Sequence, residues 1–274
     1  MAAPRSSGKS AAKPVQELVV DSLYNYPKYY ELIFGSDWKD EYHFLLDCFA
    51  QHGRRQLQKI FEPACGTGRL LFRLGVKGFE VSGLDLNAHA VEYCNQRLQK
   101  QGLPASVFVG DMCDFRLKEP VDLAFNMINS FRHLSSEAQA LAHLRCTAKA
   151  LGTGGLYLLG LHLTPTRGVP TSEENWTARR GQLSVRSDLQ TVRLDRRRRQ
   201  EHLHMQFDIT TPSKRLRLAE DLVFRTYTWA QMRKLLDEVS ELELCETYDF
   251  RYDLSQPVVI DPETEDVVFV LRKK

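Results

Sequence analysis

The chain is 274 residues long, and its six cysteines (Cys48, Cys65, Cys94, Cys113, Cys146 and Cys245) form no C-x-x-C pair. The spacing of a structural zinc site is therefore absent, and no metal is expected. Scattered single cysteines read as reduced, mostly buried thiols of a cytoplasmic protein. No apolar run approaches the ~20 residues of a membrane span, and no signal-peptide core is present, so no membrane partner is expected. An excess of one charge is also missing. The formal charge of +2 implies no global attraction to nucleic acid or to a membrane surface. What remains is ordinary for a globular protein, 43% hydrophobic and 26% charged, which is enough to build a core in one elaborated domain or two small ones.

One further absence falls in the most informative stretch, Lys59 to Leu71 (KIFEPACGTGRLL). A short apolar run ends in Glu62, a glycine-bearing turn follows, and an amphipathic helix pattern begins at Arg69. Strand, tight turn and helix in that order open a nucleotide-binding βαβ unit. Gly66 and Gly68 let backbone N–H groups approach a ligand without a Cβ in the way. A dinucleotide fingerprint would need a third glycine where this chain has Leu71, so helix and strand cannot pack as a pyrophosphate turn requires. Glu62, Ala64, Gly66 and Gly68 instead resemble motif I of the class I S-adenosylmethionine-dependent methyltransferases, acid-x-Gly-x-Gly-x-Gly, with Ala64 in place of the first glycine. That cofactor carries a carboxylate, an ammonium and a sulfonium, and an acid beside a glycine turn suits those charges.

The resemblance implies an α/β, Rossmann-like fold with a seven-stranded sheet in the order 3-2-1-4-5-7-6, S-adenosyl-L-methionine as cofactor, and a small-molecule methyl acceptor. Phe79 to Asp85 reads as the second strand. Its terminal Asp85 lies near the ~20-residue spacing at which a carboxylate holds both ribose hydroxyls, the alternative being a helix N-cap. Ser106 to Val109 reads as the third strand. The resemblance places Asp111 and Met112 after it at the adenine, where the plain alternative is a turn acid and a core methionine. Val121 to Met127 is the fourth strand, and Asn126 at its end is placed to offer a backbone carbonyl to the cofactor's ammonium. Arg69 and Leu86 complete the implied cofactor set with Glu62, Ala64, Gly66, Gly68, Asp85, Asp111, Met112 and Asn126.

Residues before and after this core are less patterned. Met1 to about Pro14 has no acid and reads as a disordered tail, or as part of a transit segment. Val15 to His52 reads as helical, with Asp37 as a cap for Trp38 to Gln51. Four tyrosines stand between Tyr24 and Tyr30. They form a packed aromatic strip or, as the resemblance implies for an N-terminal segment, bring Tyr29 or Tyr30 to the cofactor. Gly154 to Leu161 is a fifth strand, apolar on both faces, with His162 at its ligand-side end. From Leu163 to Arg225 alternation replaces helix periodicity. Three antiparallel strands are expected, with turns near 195–199 and 211–213, forming an insertion whose mouth Glu173, Glu174, Asn175 and Trp176 line. Arg196 to Arg199 read as a solvated hairpin tip rather than a nucleic-acid contact. A helix from Trp229 and an antiparallel pair, Leu242 to Phe250 with Asp266 to Leu271, close the sheet.

For chemistry, a sulfonium is already an activated electrophile, and the chain must hold a nucleophile in line with it. His133, His162 and Tyr30 are the candidate bases for an acceptor that needs one, although His133 reads first as a helix-entry histidine held by backbone. The Asp/Asn-Pro-Pro-aromatic signature of base methylation is absent after the fourth strand, which argues against nucleic acid. Two rivals stay open: a non-catalytic S-adenosylmethionine binder, and another nucleotide-fold transferase such as an aminopropyl transferase. Oligomeric state is not readable from the sequence.

Overall fold

The computed structural model describes residues 16–35 and 38–274. The tail read over residues 1–14 and the cap read at Asp37 lie outside the described residues. Two sheets organise the rest. The larger takes β2 (Lys59–Pro63), β3 (Glu80–Asp85), β4 (Val107–Val109), β5 (Val121–Asn126), β6 (Leu151–His162), β11 (Leu242–Tyr248) and β12 (Asp266–Lys273). The smaller takes β1 (Gln16–Val20), β7 (Glu173–Arg180), β8 (Leu183–Asp195), β9 (Gln200–Thr210) and β10 (Arg215–Arg225). The helices are α1 (Pro27–Phe34), α2 (Lys39–His52), α3 (Leu71–Lys77), α4 (Ala88–Gln99), α5 (Glu137–Ala150) and α6 (Trp229–Asp237).

The larger sheet runs β4-β3-β2-β5-β6-β12-β11, the expected 3-2-1-4-5-7-6 order. Pairs among β2 to β6 are parallel, and β12 is antiparallel to both β6 and β11. Alternation on the strands splits the core between the two faces. Phe61, Tyr157, Leu159 and Phe269 pack on one side with α5 and α6. Ile60, Phe125, Leu158 and Val268 pack on the other with α2, α3 and α4. Each such fully buried side chain stabilises by about 1.5–3 kcal/mol. Local signals set the helix starts: Ser136 caps α5 by accepting from Gln139 N, and Thr228 and Gln231 form a capping box at α6.

Two expectations about the smaller sheet need correcting. The insertion holds four strands, not three, because Glu173–Arg180 is also a strand. Its sequence, EENWTARR, is nearly all exposed and has no apolar alternation, as an edge strand need not. Within the stretch read as helical, Gln16–Val20 is a strand lying parallel to β10. Its partner is some 200 residues away in sequence, so no local pattern marks it. The sheet order is β1-β10-β9-β8-β7. Helix α1 seats Leu32 and Ile33 against Val185, Phe207, Ile209, Leu216 and Leu218 of this sheet. On its other side, α1 ties to the larger sheet. Buried Glu31 accepts from Thr67 Oγ1 at 2.8 Å and pairs with Arg97 at 2.8 Å. The helix thus clamps the insertion over the C-terminal ends of the parallel strands, where an open α/β sheet presents its crevice.

Candidate functional site

A cavity of about 1070 Å³ opens between the strand ends and the insertion sheet. One half is built by backbone. After β2 the chain turns with Ala64, Gly66 and Gly68 all at positive φ (53°, 53° and 67°). Asp85, at the end of β3, locks this turn: Oδ2 accepts from Gly66 N and Oδ1 from Asn87 N, each at 2.8 Å. Asn87, not Asp85, caps α4, accepting from His89 N and Ala90 N, so the aspartate is not consumed as a helix cap. Each carboxylate oxygen keeps further acceptor capacity toward the cavity. Burial raises the Asp85 carboxyl above the ordinary range, opposed by the amides of Asn87 and Gly66.

Glu62 lines the same cavity. Its Oε2 is buried with no hydrogen-bond partner among the described residues, and burial pushes its carboxyl well above the usual carboxylate range. A buried orphan acceptor of this kind costs about 1–3 kcal/mol or more unless a donor meets it, so the site suits a cation. Arg69 also lines the cavity and is ion-paired with buried Glu41. The ring of Tyr30 lies over the turn, 3.7 Å from where a Cβ on Gly66 would sit. Burial raises the Tyr30 hydroxyl well above its ordinary pKa.

Of the residues read from sequence, Tyr30, Glu62, Ala64, Gly66, Arg69, Asp85, Leu86, Met112, His133 and His162 all line this one cavity. Tyr29, Gly68, Asp111 and Asn126 do not. The tyrosine strip divides. Tyr24 and Tyr30 face the cavity, while Tyr29 stacks on Tyr26 and packs toward the insertion sheet. Gly68 sits against α4, where a Cβ would lie 2.1 Å from Cys94 Sγ. Asp111 is exposed and accepts from Cys113 N. Asn126 is buried and donates Nδ2 to Pro63 O at 2.8 Å, tying the ends of β5 and β2 together.

The other half is built by side chains. Trp176 from β7, Leu189, Thr191 and Leu194 from β8, Glu201, Leu203 and Met205 from β9, and Phe224 from β10 face the strand ends. Trp176 donates to Ile33 O and meets Phe34 edge-on, which joins the insertion to α1. Arg132 pairs with Glu201, whose Oε1 accepts from Thr191 Oγ1 at 2.6 Å. His133 Nε2 lies 3.2 Å from Tyr24 Oη, and burial, helped by Arg132, lowers the imidazole to about 4, so it is neutral at pH 7. His162 Nδ1 is 2.6 Å from Asp266 Oδ1. Of the arginine run, Arg196 donates to Pro165 O and Arg199 pairs with Glu137, so both are spent within the chain.

Sequence reading missed Glu31, Asp266 and His143. Fully buried His143 lies 3.0 Å from Met112 O through Nδ1 and 2.6 Å from Tyr157 Oη through Nε2, and so holds the 110–112 segment from below. An acid inside the aromatic strip around Tyr30 was a usable signal for Glu31. Asp266 and His143 depend on strand register and helix packing, which no local pattern carries.

Comparison with known proteins agrees with this architecture. A family model described as a methyltransferase domain matches residues 60–155. The chain carries a methyltransferase domain. In structure, the chain is similar to an S-adenosylmethionine-dependent methyltransferase of Clostridium acetobutylicum (TM-score 0.73, 16% identity, 92% of this chain and 99% of that one). It is also similar to an amino pentose methyltransferase of Micromonospora echinaspora solved with S-adenosylmethionine (TM-score 0.70, 18% identity, 91% and 96%). A third neighbour is a sugar N-methyltransferase of Streptoalloteichus (TM-score 0.70, 17% identity, 100% and 99%). These likenesses give the class I methyltransferase fold. Among curated relatives, an S-adenosyl-L-methionine-dependent Diels-Alderase of Talaromyces variabilis is 33% identical over 106 residues, 37% of this chain and 35% of that protein. A Geobacillus protein named as a methyltransferase is 26% identical over 114 residues, 42% of this chain. The chain spans less than half the length of these two relatives, 46% for the Geobacillus protein. Among the described residues no helix is long and apolar enough to cross a membrane.

Proposed function

We propose that this chain transfers the methyl group of S-adenosylmethionine to a nitrogen or oxygen of a small molecule. The observation that carries the reading is the cavity itself, in which Glu62 and Asp85 flank one glycine turn. Glu62 Oε2, buried and without a partner among the described residues, takes the ammonium. Asp85, already ordered by two amides, takes the ribose diol. Met112 and Gly110 border the adenine end, and Arg69 stands where a carboxylate would be met. When bound, the cofactor supplies an activated sulfonium methyl. The protein's part is to bind, orient and exclude water, and near-attack positioning of this kind supplies about 7–11 kcal/mol of a barrier.

The acceptor half favours a neutral or cationic, hydroxylated or amine-bearing molecule. Glu173, Glu174, Glu201, Glu263, Glu265 and Asp266 line it, while Arg132 is already paired with Glu201. The names of two structural neighbours, an amino pentose and a sugar N-methyltransferase, support the same class. The scattered, unbridged cysteines go with a cytoplasmic location. The Diels-Alderase relative favours a second reading, in which the cofactor is held without methyl transfer. Thermal shift with S-adenosylmethionine, S-adenosylhomocysteine and NAD, followed by transfer of a labelled methyl group into a metabolite extract, separates these readings. Stabilisation by the first two ligands with label appearing in a small molecule is expected. Stabilisation by NAD alone overturns the cofactor assignment, and binding without transfer favours the second reading.

A further inference from the structure

Two histidines line the acceptor half, and they are not equivalent. His133 faces Tyr24 Oη through Nε2, and burial lowers it to about 4, which makes it a poor proton acceptor at neutral pH. His162 is held at three points. Its backbone N donates to Asn129 Oδ1 at 2.8 Å, its Nδ1 meets Asp266 Oδ1 at 2.6 Å, and the Phe250 ring lies edge-on at 5.2 Å. Its Nε2 has no hydrogen-bond partner among the described residues.

The clamp is built at a cost. Ile128 and Asn129 both adopt positive φ, 55° and 66°, which is a genuine outlier for a β-branched residue. This kink brings Asn129 beneath β6, where its N donates to Gly160 O and its side chain accepts from His162 N. Antiparallel pairing of β12 with β6 sets Asp266 directly opposite His162. An ionised carboxylate only accepts, so the short contact requires the proton on Nδ1 and leaves Nε2 as a bare acceptor. The charged groups lining the cavity near this strand end are Asp266, Glu265 and Glu263, the last 3.6 Å from Arg167; the cavity's Arg132 is paired with Glu201.

We propose that His162 is the catalytic residue that takes the acceptor's proton, with Asp266 and Asn129 as its positioning residues. This rests on the methyl-transfer reading above. A lone pair on the acceptor atom forms the new bond to the methyl carbon as the methyl–sulfur bond breaks and its electron pair stays on sulfur. The acceptor's N–H or O–H bond breaks with its electron pair left on the acceptor atom. The proton goes to His162 Nε2, where Asp266 stabilises the imidazolium until the proton leaves to solvent.

Two measurements on the full chain test this. Histidine ¹⁵N NMR at neutral pH should show the wild-type His162 ring protonated on Nδ1, and Asp266→Ala should shift it toward the Nε2–H form. His162→Gln should lower the transfer rate about 10²–10⁴-fold with S-adenosylhomocysteine affinity unchanged by calorimetry. A wild-type ring protonated on Nε2 overturns the proposal, as does wild-type turnover by His162→Gln. If the wild type binds cofactor but methylates nothing, the functional reading falls and the proton-transfer assignment falls with it. The tautomer then shows whether the His162–Asp266 pairing stands without that role.

Discussion

The two halves of the cavity are made differently. The cofactor half is a backbone device: three positive-φ residues within five positions, one aspartate accepting from two amides, and strand ends set side by side by parallel pairing. The acceptor half is a side-chain device, drawn from β7, β8, β9 and β10 and from the loop before β12. A backbone device constrains its own sequence, because few residues tolerate its dihedrals and close approaches. A side-chain device constrains mainly volume and polarity, which many sequences satisfy. The halves should therefore differ in how sharply single substitutions act.

Asp85→Ala should have the largest effect. It removes the acceptor for two amides and, on the proposed reading, for the ribose diol. With hydrogen bonds to a charged group worth about 1.5–3 kcal/mol each, losing two to the diol lowers affinity for S-adenosylhomocysteine at least a hundredfold. Calorimetry on a variant with unchanged circular dichroism measures this. Unaltered affinity would remove the distinction between the halves at its strongest point. Gly68→Ala should come next. Its Cβ would lie 2.1 Å from Cys94 Sγ at a φ of 67°, so overpacking and dihedral strain together should cost roughly 2–5 kcal/mol. Pairing it with Cys94→Ala leaves the nearest atom, Cys94 Cβ, at 3.5 Å, and denaturant titration should recover the overpacking part but not the strain.

This contrast explains what was legible in the sequence. Glu62 and Asp85 fall in the cavity because they stand at the ends of strands whose apolar runs could be seen, Gly66 and Met112 because they follow such strands within three residues, and the turn chemistry there is local. Tyr30 was separable from Tyr29 only by the helix face it takes in α1, since the ring that stacks on Tyr26 is one position away. Strand β1 was hidden because its partner β10 lies at the far end of the insertion. Strand β7 was hidden because an exposed edge has no apolar face to betray it. Asp266 could be read as the start of a strand, but its place opposite His162 is a matter of antiparallel register.

A smaller effect probes the support beneath the cofactor half. Burial lowers His143 from 6.5 to about 4. The unfolded chain then binds one more proton than the folded one between those values, so stability rises with pH there. The contribution is fully present above about 6.5 and is lost as pH falls toward 4. Complete loss amounts to roughly 3 kcal/mol. Denaturant titration between pH 7 and 4 should show this slope in the wild type. His143→Gln, which does not titrate, should remove its share of the slope, while His133, also lowered to about 4, keeps its own. An equal slope in both proteins would assign the acid sensitivity elsewhere.

Ala64→Gly should have the smallest effect, and it bears directly on why the backbone half tolerates a departure from the glycine pattern. Ala64 holds a φ of 53°, a conformation that costs an L-residue about 1–2 kcal/mol. Glycine removes that strain but gives back about 0.5–1 kcal/mol through the freer unfolded chain. It also loses a methyl that packs partly buried against the cluster of Phe61, Leu84 and Tyr157. These contributions nearly cancel, so the variant should differ from the wild type by less than about 1 kcal/mol, with a slight gain expected. Affinity for S-adenosylhomocysteine should stay within a few-fold, since Asp85 and Gly66 still fix the turn. A loss well beyond that in denaturant titration would mean that the Ala64 methyl, not the dihedral, determines the residue at this position, and that side-chain packing enters the cofactor half after all.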